Sequence, residues 1–189
     1  MLANTKPFLL YLVMLITFVV AVAVVVGGTI WVIAKIRKSK SLYSKKVILY
    51  TVAAIVIAAI SWILNMGWIR FFMTFLGIPF IHGIVFFLAN MFFAKYTDRS
   101  RGMSALNLWF VISYLVVYLL LPDGGDYGEA YFFFGLIQSD ALSGVAGLIS
   151  NAAIVAHIVL FVLQIISMRK IKTSIAKNNS YVEDEHERD

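Results

Sequence analysis

Two histidines lie inside apolar stretches, where an imidazole is the side chain best suited to pass a proton or hold an iron. His82 stands 11 residues into one stretch and His157 stands 14 into another. At about 1.5 Å of helix per residue their depths differ by only roughly 4 to 5 Å. The rings can therefore meet near mid-membrane if their helices are neighbours. Ionisable groups at such depth are costly and mark candidate functional sites. Facing neutral imidazoles could relay a proton or ligate haem b axially. The plain alternative is a neutral histidine bonded to Ser, Asn or a backbone carbonyl. With Asp140 and Asn151, the two histidines make up a candidate ligand or ion path.

Asp140 is an isolated acid in an apolar run and needs a partner or water. Arg70 lies near the same boundary, and an ion pair between the two is expected. A second reading of that boundary gathers Asp123, Asp126, Glu129 and Asp140, with Tyr127 and Tyr131, into an outward-facing cluster that attracts a cation or an amine. The acidic loop lacks EF-hand spacing and is rich in Gly, which suits a turn, so no metal is assigned to it.

Catalytic patterns are not found. The chain has no Cys, which excludes disulfides, thiolate nucleophiles and Cys-ligated metal centres. It contains no Gly-x-Ser-x-Gly, His-Glu-x-x-His, Walker or dinucleotide motif. Ser150 and His157 share a helix two turns apart, too far for direct contact. The reading therefore leans away from an enzyme.

The elements that must carry these residues follow from hydropathy. Of the 189 residues 61% are hydrophobic and only 14% charged, against about a quarter charged in a soluble domain. Lipid must be the solvent. Spans are expected at 8–34, 47–64, 71–94, 104–121 and 143–168. Each is close to the ~20 residues that cross a hydrocarbon core. Gly77, Pro79 and Gly83 predict a kink in the third. The apolar run 130–168 would be roughly 58 Å long as one helix, about twice the core thickness. Residues 131–142 are therefore read as an interfacial or re-entrant piece, with the break at Gln138, Ser139 and Asp140.

Charge orients the threading. Of 16 Lys and Arg, only Lys6 and Arg70 fall on the side that holds the acidic loop, which predicts an N-out/C-in arrangement. Lys35, Arg37, Lys38, Lys40, Lys45 and Lys46 crowd one loop. That loop could also attract anionic lipid headgroups, at about 1 kcal/mol per cation. The net charge of +6 follows from this bias and implies no nucleic-acid partner. Residues 1–172 read as a single membrane domain, and 173–189 as a charged, disordered cytoplasmic tail. The sequon at Asn178 lies on the wrong side to be used.

Helices in lipid associate through small and polar residues. Such stripes occur at Ala54, Ala58, Ser61 and Asn65; at Asn107, Tyr114 and Tyr118; and at Thr17, Ala21 and Gly28. The last span has two, Ser143, Ser150, His157 and Gln164 on one face and Asp140, Gly144, Gly147 and Asn151 on a neighbouring one. The expected architecture is an all-α bundle of five transmembrane helices. The setting that fits best is a bacterial cytoplasmic membrane. Three functions are compatible with it. The first is a non-catalytic subunit, immunity or regulatory protein acting through a protein partner or as a homo-oligomer. The second is a small oligomeric transporter or channel using His82, Asp140 and His157, and the third a haem-b-binding subunit.

Overall fold

A computed structural model describes residues 34, 42–124 and 129–186. The chain divides into two units, Met1–Lys40 and Ser41–Asp189, and the second is described here. The expected first span and its stripe, with Lys35, Arg37, Lys38, Lys40 and Asp126, lie outside the described residues, apart from the helical Ala34.

Five α-helices follow in order: α1 (Leu42–Leu64), α2 (Trp68–Phe75), α3 (Ile78–Phe93), α4 (Arg101–Leu120) and α5 (Asp140–His186). A 3₁₀ turn, Ala94–Arg99, joins α3 to α4. Strands β1 (Tyr131–Phe132) and β2 (Ile137–Gln138) form a small antiparallel hairpin before α5. Among the described residues four helical stretches are long and apolar enough to cross a membrane: Lys45–Leu64, Ile78–Thr97, Arg101–Leu120 and Asp140–Lys177. Most of their outward residues are apolar. Leu148 is 72% exposed and Ile63 67%, a surface that suits lipid.

Three differences from the sequence reading have physical causes. The stretch 71–94 is not one kinked helix but two. Gly77 takes φ +73, a left-handed conformation open to glycine, and Pro79 then starts α3. In the segment read as interfacial or re-entrant, 131–142, residues Tyr131–Gln138 form a hairpin with Phe133, Phe134 and Gly135 at positive φ and an edge paired with Asp123, and α5 begins at Asp140, within the expected break, rather than at 143. Helical geometry continues to His186, although composition pointed to a disordered end from residue 173. No Gly or Pro after Gly147 interrupts it.

The core is built from the polar and small stripes. Ala54, Ala58, Ser61 and Asn65 of α1 are buried, as are Asn107, Tyr114 and Tyr118 of α4. On α5 the seven-residue series Ser150, His157, Gln164 points inward, interleaved with Ala146 and Ala153. Gln164 donates to the Asn107 side chain, and Ser150 donates to Val117 O at 3.2 Å. The second α5 series faces outward, with Gly144 and Asn151 exposed. Phe86, Phe110 and Tyr114 fill the middle of the bundle.

Candidate functional site

The two histidines meet. α3 carries His82 and α5 carries His157, and their rings pack edge to face with centroids 5.2 Å apart. α4 runs between them and supplies the bonding partners. Ser113 donates to Phe110 O at 2.9 Å, so its oxygen accepts from His157 Nδ1–H, also at 2.9 Å. This leaves His157 Nε2 as the acceptor nitrogen. The Tyr118 hydroxyl lies 3.1 Å from His82 Nδ1. Tyr114, one turn away on α4, packs its ring 4.7 Å from that of Tyr118 and 5.1 Å from that of His82.

Aromatic rings enclose this cluster. His157 stacks on Phe110 at 4.0 Å, and Phe86 stacks on Tyr114 at 3.9 Å. Haem ligation does not fit. Rings at 5.2 Å, edge to face, are already in contact, and no plane remains between them for a porphyrin. The cluster can hold and orient neutral imidazoles, and it can shift a proton over one tyrosine-to-histidine step.

Asp140 is not part of it. It lies 17 residues before His157 on α5, roughly 26 Å along the helix axis. It is exposed and accepts from Ala130 N–H at 3.0 Å, which ties the hairpin to the start of α5. Asn151 faces outward on α5, away from His157. Of the expected path, only the histidine pair is brought together.

The expected Arg70–Asp140 ion pair is replaced by a different arrangement. Arg70 is fully buried at the end of the bundle where α1 and α4 finish. Its Nη1 donates to Ser61 O at 2.8 Å, and its Nη2 to Tyr118 O at 3.2 Å and Leu121 O at 2.6 Å. Ser61 and Tyr118 lie in the last turns of α1 and α4, where the helix dipole is negative. Ser61 O also accepts from Asn65 N–H at 3.0 Å and Tyr118 O from Ser61 Oγ at 3.0 Å, so the guanidinium adds a charged donor to carbonyls that are already bonded. The Trp62 ring lies 5.0 Å from the cation, and Trp62 Nε1–H donates to Thr74 Oγ1 at 2.8 Å.

Asp123 performs the mirror task. Only 2% exposed, its carboxylate accepts from the N–H groups of Gly67, Ile69, Arg70 and Gly124 at 2.8–3.1 Å. It thus caps the start of α2 from a distant loop, with the charge sign that a helix N-terminus favours. Its own backbone pairs with Tyr131 in both directions, at 3.0 and 2.8 Å. Burial pulls the Arg70 guanidinium down to about 10, and the Asp123 charge opposes that fall; Arg70 remains a cation at neutral pH.

Among the described residues the acids expected to cluster at this end do not come together. Asp123 is committed to backbone donors, while Glu129 and Asp140 are exposed. Among the described residues no group of three or more His, Asp or Glu could hold a metal ion. Of the basic-loop residues, Lys45 is half-buried and Lys46 exposed at the start of α1. Sequence reasoning missed Ser113, because a lone serine in an apolar helix has no spacing signal. It also set Asp123 among the loop acids, although the single-residue interval to Pro122 at the end of α4 gave it a fixed place.

The chain matches no known family model, no curated protein and no solved structure.

Proposed function

We propose that this protein is a non-catalytic, multi-pass subunit or regulator of a membrane assembly, acting through contact between α5 and another helix. The observation that supports this most is Asn151. It stands 11 residues into α5, about 17 Å along the helix, with its carboxamide on the exposed face. A carboxamide directed at hydrocarbon has no partner there and is a strong hydrogen-bonding group. Gly144 is exposed on the same side, and nothing lies within 4 Å of where its Cβ would be. A small residue one end of the face and a polar one in its middle is the pattern by which helices dock in lipid. The one-sided distribution of Lys and Arg supports an N-out/C-in orientation and a bacterial cytoplasmic membrane.

The test is a photoreactive residue at Leu148, which is 72% exposed between Gly144 and Asn151. In native membranes it should crosslink to a second polypeptide, either a different protein or another copy. The same probe at Leu88, on an α3 face that is 57% exposed and wholly apolar around it, should do so far less. Crosslinks confined to the chain itself would overturn the proposal.

A second reading is a small oligomeric transporter, supported by the meeting of His82 and His157. In liposomes loaded with a pH dye it requires proton or ion flux that His82→Phe abolishes. Flux equal in wild type and variant, or none, would remove it.

A further inference from the structure

At the end of the bundle opposite Arg70, a cleft of about 630 Å³ opens between α1 and α4, within the size range of small-molecule sites. Lys46 and Arg101 lie on its lining, with Ser104 and Asn107 further along α4 and with Val47 and Leu108 as apolar walls. Arg101 begins α4 and Asn107 follows six residues later, about 9 Å deeper. Asn107 is 2% exposed. Its Oδ1 accepts from Gln164, and its Nδ2 has no hydrogen-bond partner. Asn107 thus sets a buried, unpartnered amide donor on the cleft lining beneath two cations, where a ligand oxygen would satisfy it.

We propose that this cleft binds an anionic phospholipid, with its phosphate at Lys46 and Arg101, an ester carbonyl on Asn107 Nδ2 and an acyl chain along Val47 and Leu108. One molecule supplies all three, because glycerol ester carbonyls lie deeper in a bilayer than the phosphate. The apolar walls distinguish a lipid from a soluble phosphate ester, which offers them nothing.

The full-length protein, delipidated in detergent, should be titrated with phosphatidylglycerol and with phosphatidylcholine and read by native mass spectrometry. One phosphatidylglycerol should bind, with phosphatidylcholine weaker by about tenfold or more. Arg101→Gln should weaken phosphatidylglycerol roughly fivefold, the share of one cation near an anionic headgroup. Asn107→Asp keeps an acceptor for Gln164 but replaces the free donor with an anionic oxygen, and should weaken it further. Arg169→Gln, outside the cleft, should change nothing. Equal binding of the two lipids, or an unchanged Arg101→Gln, would overturn the proposal. Displacement of bound lipid by millimolar glycerol phosphate would overturn the lipid assignment in favour of a soluble phosphate ester at the same residues, and failure to displace it would support the lipid.

Discussion

At the scale of single residues, the two most committed side chains are Arg70 and Asp123, and neither acts as half of a simple ion pair. Each serves the backbone: Arg70 takes the carbonyl ends of α1 and α4, and Asp123 takes the N–H end of α2. Asp123→Ala leaves three backbone donors at the start of α2 without their acceptor, that of Arg70 buried and those of Gly67 and Ile69 part-buried, and should cost about 3 kcal/mol, at ~1–3 kcal/mol for each orphaned group with partial relaxation. Arg70→Met should cost about as much by taking the charged donor from those carbonyls instead. Because both hold the same end of the bundle together, the double variant should lose less than the sum of the singles. Thermal unfolding in detergent measures all three, and strictly additive losses would show the two to be independent. His157→Phe is a milder case. It removes one hydrogen bond while Ser113 keeps Phe110 O, and should cost about 1 kcal/mol. A loss of several kcal/mol would mean that the imidazole does more than bond Ser113.

Elements show where glycine decides the path. Gly77 and Gly135 both take positive φ, at +73 and +74, yet their surroundings differ. Nothing lies within 4 Å of a Cβ at Gly77, whereas one at Gly135 would meet Leu64 O at 3.0 Å. Alanine at Gly77 should therefore cost about 1 kcal/mol from backbone strain alone. Alanine at Gly135 should cost more and loosen the hairpin from the end of α1. Equal thermal shifts for the two would contradict this. These elements also mark what was legible in the sequence. Hydropathy located the four described spans, because a run of some 20 apolar residues in lipid has few other forms available. The sequence offered two polar faces on α5 without ranking them; packing turned the series through Ser150, His157 and Gln164 inward and left Gly144 and Asn151 exposed. The Gly77 and Pro79 signal located a break but not its completeness. Arg70 was matched with Asp140 because a search for partners sees only side chains, and the true partners are carbonyls whose position depends on how α1 and α4 end. The hairpin was equally hidden. Its residues, Tyr131 to Gln138, are as apolar as a span, and what shapes them is pairing with Asp123 rather than their own periodicity.

At the scale of the whole molecule, the described bundle buries a polar stripe, Ser61, Asn65, Arg70, Asn107, Ser150 and Gln164, beside an aromatic core, and turns mostly apolar side chains outward, an arrangement that suits lipid. Phe86, Phe110 and Tyr114 bury His157 in that interior, while His82 is half-buried at its edge. Among the described residues no hydrogen bond joins the histidine cluster to Asp140 or to the basic end. Its geometry accounts for a specifically packed bundle, while Asn151, 11 residues into α5, faces outward. The measurement that tests this account most directly is native mass spectrometry of the protein gently extracted from its own membrane, in wild-type and Asn151→Leu forms. The account predicts a defined complex, with a second polypeptide or a second copy, for the wild type, and loss of that complex in the variant while the monomer stays folded. A wild-type monomer, or a complex that Asn151→Leu leaves intact, would contradict it.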